Sequence, residues 1–350
     1  MIEQTLSNAI KVLRFPMVLF VVSVHADFTK GFSFFGKDVI VQKDLSYHIV
    51  NIISHSLADF AVPLFYVISG LLYQSSINKY GYKELLKKKF YSLFIPYIIW
   101  NTIFFITFFI RNGYTSFDFF QGLLFIPRDD SFIGCLTQPW DGPLWFLRDL
   151  MVVFLLSPII KYLIQRYAKI YLFFLLILYM TKVLPWYIVP GLSITSLLFF
   201  SIGMYLYNYS SIIFNLVNYR KMLLLAFLFF PIFTYAISLL FGNASLWYNL
   251  PHSITIILGI GAAFSIAIKI GYSQLFDKFG RYSFVIFASH TLILTYIIKL
   301  IMMPFGHKIN GLKTILIYIL SIAITFMLCH VLGVLISKVP LLRKTLAGGR

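Results

Sequence analysis

A succession of apolar runs, each close to the length that crosses a lipid bilayer, restricts this chain more than any other feature. A spanning helix needs about 20 mostly apolar residues, because every backbone N–H and C=O in the hydrocarbon must be bonded within the segment. Such runs fall at roughly 9–28, 52–73, 93–110, 144–164, 168–184, 190–208, 221–241, 253–270, 283–303 and 314–337, with Pro185 and Pro190 in the turn between the fifth and sixth. The expectation is an all-α membrane protein, a bundle of about ten transmembrane helices. Composition agrees: 60% of the 350 residues are hydrophobic and only 12% are charged, too little polar surface to coat a soluble globule. No internal repeat, low-complexity tract or soluble appendage is visible, so residues 1–350 read as a single integral membrane domain. The first run lacks a small-residue cleavage site and is followed by many others, which marks it as a retained helix and not a signal.

The net charge of +17 would suit a nucleic-acid binder, but the basic residues lie between hydrophobic runs and not on a soluble face. Membrane topology explains them better. With the N-terminus in the cytoplasm, the inner side holds Lys11, Arg14, the five lysines of "NKYGYKELLKKKF" and most later Lys and Arg residues, 19 of the 29 in all. Glu3, Glu84 and Asp277 are the acidic residues on that side, and the other nine lean outward. The excess of Lys and Arg therefore predicts both termini in the cytoplasm, with 29–51 and 111–143 as the longest outer segments. "KELLKKKF" reads as the basic inner loop that membrane proteins commonly carry, with a headgroup or cytosolic-anion site as the alternative. Cys135 and Cys329 fall near opposite faces and are not expected to pair. His48, His55, His252 and His307 fall in loops or at interfaces without metal-ligand spacing, so no metal site is expected.

Ionisable residues inside a span are costly and need a reason. Arg14 and His25 are eleven residues apart, which at 100° per residue leaves them about 20° out of line on one face of the first helix and about 16 Å apart along its axis. Singly, Arg14 reads as a snorkelling anchor and His25 as an interfacial histidine. Two independent anchors have no reason to align, and the stripe they share with Lys11, Val18 and Val21 is expected to face the interior or a water-filled cavity. His290, in "SFVIFASHTLIL", lies within the ninth run, where it is either a packing histidine or a functional one. Ser69 and Gly70 make a small-residue spot that admits either a neighbouring backbone or a ligand. In "WDGPLWFLRDLMVVF", Trp140 and Trp145 fit an aromatic belt, and Arg148 beside Asp149 is either a self-compensating pair or a polar edge for a substrate.

In order along the chain, these pieces resemble the acyltransferase 3 family of bacterial integral membrane proteins. Arg14 and His25 fit its arginine, ten residues, histidine signature. "VPLFYVISGLLY", "IPYIIWN", "GPLWFLR", "FFSIGMYL" and "SFVIFASHTLIL" match its second, third, fourth, sixth and ninth helix motifs, with Phe287 where tyrosine is common, and "LLRKTLAGGR" looks like its cytoplasmic tail. The resemblance covers nearly the whole chain and implies a bundle of ten helices that transfers an acyl group, most commonly acetyl from acetyl-CoA, to a hydroxyl of a cell-surface polysaccharide or lipid-linked sugar in the bacterial inner membrane. It implies acyl-CoA as co-substrate, with no permanently bound cofactor.

On that basis Arg14 is the candidate for holding the donor, and a neutral His25 the candidate general base, an acyl-histidine intermediate being the alternative. Asp27, Asp59 or Asp149 could orient His25. His290, Ser69 and Gly70 are candidates for lining the cavity or the donor path, and Trp145, Arg148 and Asp149 for meeting the acceptor. A transporter or flippase of a lipid-linked saccharide is the rival reading, and it would favour helices broken near mid-membrane in corresponding halves, a pattern not found here.

Overall fold

The computed structural model describes residues 2–34, 37–112, 139–184, 187–189 and 191–349. The expectations placed on Cys135, Pro185, Pro190 and most of the outer segment 111–143 lie outside the described residues. The fold is helical, and its only strands are short pairs in the connections, such as Ile40–Val41 lying parallel to Lys308–Ile309 among the described residues.

Among the described residues, eight helical stretches are long and apolar enough to cross a membrane, and Ile194–Asn208 is a shorter apolar helix. The first helix, α1 (Ile2–His25), begins several residues before the apolar run does. The second stretch joins α2 (Leu45–Ile52), a π-helical turn at Ile53–Leu57, a 3-10 turn at Ala58–Phe60 and α3 (Ala61–Tyr80). The basic segment forms α4 (Tyr82–Lys89), steadied by the Glu84–Lys88 pair at 3.1 Å, and leads through a π-helical turn into α5 (Ile95–Asn112). These helices outrun the hydropathy because polar residues keep helical backbone where turns of the helix reach the interface or a polar interior.

The fourth and fifth runs form one helical stretch, α6 (Trp145–Thr181), of 37 residues. Straight, it would be about 55 Å long, nearly twice the hydrocarbon thickness. Its backbone leaves helical geometry at Tyr167 (φ −135°, ψ 28°), between the two runs read from the sequence. Counting its halves separately and adding Ile194–Asn208, ten apolar helical segments are present among the described residues. The remaining elements are α7 (Ile194–Asn208), α8 (Ser211–Asn215), α9 (Arg220–Phe241), α10 (Leu246–Ile270), α11 (Gln274–Gly280), α12 (Ser283–Met302), α13 (Leu312–Lys338) and α14 (Pro340–Leu346). Side-chain caps fix several starts, as where Asp44 accepts from the Tyr47 N–H and Ser193 from the Ser196 N–H.

The core runs along α1, α3, α6, α7, α10 and α12, with Val18, Leu64, Phe200 and Ile286 fully enclosed. At the rim, α9 exposes Leu225, Phe229, Ile232 and Leu240, and α13 exposes Ile319, Met327 and Leu335. An apolar rim around a packed interior is what a lipid-facing surface requires.

Candidate active site

Helix ends converge at one end of the bundle. The C-terminal end of α1, the turn before α3, the start and finish of α6 and the starts of α7 and α10 enclose a cavity of about 540 Å³. His25, the last residue of α1, faces it, so its ring is open to the cavity although protein surrounds it. Val21, Val24, Val62, Pro63, Leu178 and Ile256 make apolar walls, while Asp59, His252, Lys182 and Trp145 supply the polar and aromatic lining.

Two carboxylate–imidazole pairs flank His25. Asp59 Oδ2 lies 2.9 Å from His252 Nε2, and the His252 ring stacks on Tyr248 with centroids 5.1 Å apart. Asp27 Oδ2 lies 2.7 Å from His55 Nε2, and Asp27 Oδ1 accepts from the Thr29 N–H and hydroxyl at 2.9 and 2.6 Å. Burial disfavours a charged Asp27, but the hydrogen bonds from His55 and Thr29 outweigh it and hold its carboxyl below the usual carboxylate range. The irregular turns matter here: His55 is carried by the π-helical turn and Asp59 by the 3-10 turn, so residues four apart reach different partners. Single π turns commonly redirect side chains at functional sites.

His290 is fully buried on α12, its ring centroid 5.1 Å from that of His25. Its Nδ1 lies 2.7 Å from the Phe287 carbonyl oxygen, which can only accept, so the proton is on Nδ1. Nε2 is then a bare acceptor, and it has no hydrogen-bond partner among the described residues. Phe287 itself lines the cavity.

The other residues singled out by sequence lie elsewhere. Arg14 is exposed toward the opposite end of α1, where a Cβ on Gly280 of α11 would come within 2.9 Å of its Cβ. The stripe read on α1 thus divides: Val18 and Val21 are buried, His25 faces the cavity, and Arg14 does not share it. Gly70 packs against helix backbone, since a Cβ there would collide with the Phe200 carbonyl of α7; neither it nor Ser69 lines the cavity. Arg148 and Asp149 form a buried pair, Nη2 to Oδ1 2.7 Å, and neither lines the cavity, whereas Trp145, one helical turn earlier, does. Trp140 packs on Phe105, with centroids 4.9 Å apart. The start of α6 is anchored by Asp141, which accepts from the Thr291 hydroxyl at 2.7 Å.

None of the three candidate carboxylates bonds to His25: Asp27 is held by His55, Asp59 by His252 and Asp149 by Arg148. His55 and His252, read from the sequence as lying in loops or at interfaces, sit in helical segments and are the partners that sequence reasoning missed. Their partners are 28 and 193 residues away, so no local pattern could have joined them.

An apolar-rimmed bundle of helices long enough to cross a bilayer defines a multi-pass membrane protein, with a histidine-lined cavity between its helix ends. Residues 7–334 match the model of the acyltransferase 3 family, described as an acyltransferase domain, and the chain belongs to that family. It is accordingly a membrane acyltransferase. It is 27% identical over 301 residues to the succinoglycan biosynthesis protein ExoH of Rhizobium meliloti (strain 1021), an alignment covering 82% of this chain and 78% of that protein. No solved structure matches the chain.

Proposed function

We propose that the protein transfers an acyl group, acetyl from acetyl-CoA in the first instance, to a hydroxyl of a cell-surface polysaccharide or its lipid-linked precursor, in the bacterial inner membrane. The observation that carries this reading is His25 facing a cavity of about 540 Å³, large enough for a sugar unit beside an acyl group. Similarity to a protein named for succinoglycan biosynthesis supports a polysaccharide acceptor.

His25 acts as the general base. Its ring needs one N–H held and one nitrogen left bare, and His290 Nε2 is a buried acceptor beside it. The rings stand with centroids 5.1 Å apart and share no hydrogen bond in the structure; His290 Nε2 is assigned as the acceptor for that N–H in the reacting state. That leaves the other His25 nitrogen to take the proton from the sugar hydroxyl as its oxygen attacks the thioester carbonyl. The carbon–sulfur bond breaks, and the thiolate of CoA accepts the proton from His25. Trp145 offers an aromatic face to the sugar, and the Asp59–His252 pair offers acceptors and a donor to its other hydroxyls.

The charge bias of the loops supports a cytoplasmic N-terminus, which turns the cavity outward and Arg14 inward. Acyl-CoA then enters from the cytoplasm with its phosphates near Arg14, and its acyl end reaches His25 about 16 Å away. Purified protein supplied with radiolabelled acetyl-CoA and a candidate glycan tests this. Label on the sugar is expected; sugar movement across the bilayer without donor consumption would instead mark a transporter.

A further inference from the structure

We infer that the end of the bundle opposite the cavity carries a binding site for an acidic phospholipid, built jointly by α4 with the turn that follows it and by the C-terminal helix α14. The two segments are far apart in the chain, and the fold joins them. The Trp100 indole N–H of α5 donates to the Leu346 carbonyl at the end of α14, at 3.0 Å. Gly348, with φ 65°, lies so close to the π-helical turn Phe90–Phe94 that a Cβ on it would strike the Ser92 carbonyl. Each segment sets cations beside exposed apolar side chains. In α4, Leu85 is buried, and Lys83 and Lys87, two residues to either side, stand about 160° around the helix from it, on the outward face. The turn after them exposes Phe90, Tyr91 and Phe94, and the rings of Phe90 and Phe94 stack with centroids 5.0 Å apart. The helix α14 exposes Leu341 and Leu342 beside Arg343 and Lys344. This second cluster, brought in by tertiary contact, separates the site from an ordinary basic loop.

The protein does not neutralise these cations itself. Glu84 is the one acidic residue in 79–94 and is held by Lys88, and residues 338–350 contain none. Lys83, Lys87, Arg343 and Lys344 have no ion-pair partner among the described residues. Nor do the lysines of α4 ride on a loose loop: the Tyr82 hydroxyl donates to the Leu155 carbonyl of α6 at 2.8 Å, and Lys88 Nζ sits 3.0 Å from the centroid of the Tyr80 ring. A soluble anion would meet the cations and leave the aromatic and leucine side chains in water. A phospholipid meets both, its phosphate at the cations and its acyl chains on the apolar side chains, which Leu155, 58% exposed, extends along α6. A zwitterionic headgroup brings its own ammonium to the same place, so a headgroup of net negative charge fits better.

The test titrates the purified full chain in detergent, at fixed salt, with phosphatidylglycerol and with phosphatidylcholine of the same acyl chains, counting bound lipid by native mass spectrometry. The wild-type protein is expected to bind phosphatidylglycerol at least about tenfold more tightly, a difference of about 1.4 kcal/mol. Replacing Lys83, Lys87, Arg343 and Lys344 together by glutamine should bring the ratio near unity. Each pair alone, Lys83 with Lys87 or Arg343 with Lys344, should remove part of the preference, because the site is shared. Replacing four exposed cations at the same end, Lys221, Lys269, Lys278 and Arg281, by glutamine should leave it intact. Equal binding of the two lipids, a preference that survives the first set of substitutions, a loss confined to one pair, or an equal loss in the control set overturns the inference. Displacement of phosphatidylglycerol by millimolar inorganic phosphate also overturns it, marking a site for soluble anions instead.

Discussion

A buried acceptor without a donor costs about 1–3 kcal/mol, and His290 Nε2 is such an acceptor next to the proposed base. If its work is to hold the His25 ring, His290→Phe should fill the same space, leave substrate binding little changed, and lower kcat by about 10- to 100-fold, the order expected from misplacing a reacting group. His290→Gln, which keeps a side-chain acceptor, should recover part of the loss. Steady-state kinetics decide it, and unchanged kcat in His290→Phe would remove the role. Asp27 gives a pH prediction. Its carboxyl is depressed by hydrogen bonds from His55 and Thr29, so its contribution to stability is present above the unfolded value of about 3.9 and is lost as pH falls through the lower folded value. Hydrogen exchange at the Thr29 amide, corrected for intrinsic rates, should therefore lose protection in acid below about pH 4. In Asp27→Asn the acid-dependent part should vanish. His25 could be singled out in the sequence as an ionisable residue at the end of an apolar run, but the face it was expected to share with Arg14 divides, since only His25 meets the cavity; the pairs Asp27–His55 and Asp59–His252 were not legible, because the turns that aim them come from tertiary packing.

The crossing of α3 with α7 turns on two glycines. A Cβ on Gly70 would strike the Phe200 carbonyl, and one on Gly203 would strike the Val67 carbonyl. Backbone on both sides leaves nothing flexible to yield. Gly70→Ala should therefore lower stability by about 1–3 kcal/mol, the usual cost of overpacking, read as a lower Tm of the purified protein in detergent. An unchanged Tm would mean that the helices can separate at no cost. The small-residue spot at Ser69 and Gly70 was visible in the sequence, but its two meanings, ligand and helix, look alike until the facing element is known. Apolar runs marked most helices because lipid forces each to satisfy its own backbone. They understated the polar extensions, including α2 and α4, and the continuity of α6 through Tyr167, since hydropathy reports where a helix meets lipid and not where it ends.

Across the whole bundle, Arg14 and His25 stand about 16 Å apart along α1 and do not share the cavity, so only a long donor lying through the protein would use both. Arg14→Ala should then raise KM for acyl-CoA by about 10- to 100-fold, the loss expected for a charge-assisted contact, with a smaller effect on kcat. An equal fall in kcat with KM unchanged would place Arg14 in the chemical step instead. The charge bias of the loops, the apolar rim and the order of motifs were all readable in advance, because they follow from the membrane as solvent; the shape of the cavity was not, because it is made by ends of helices far apart in the chain. The central claim is that His25 takes the proton from the acceptor hydroxyl. The direct measurement is single-turnover transfer of labelled acetyl from acetyl-CoA to glycan by His25→Ala in nanodiscs, with donor binding and monodispersity measured alongside. Transfer should fall by at least about 100-fold while the variant stays folded and binds donor; near-normal transfer would contradict the role assigned to His25.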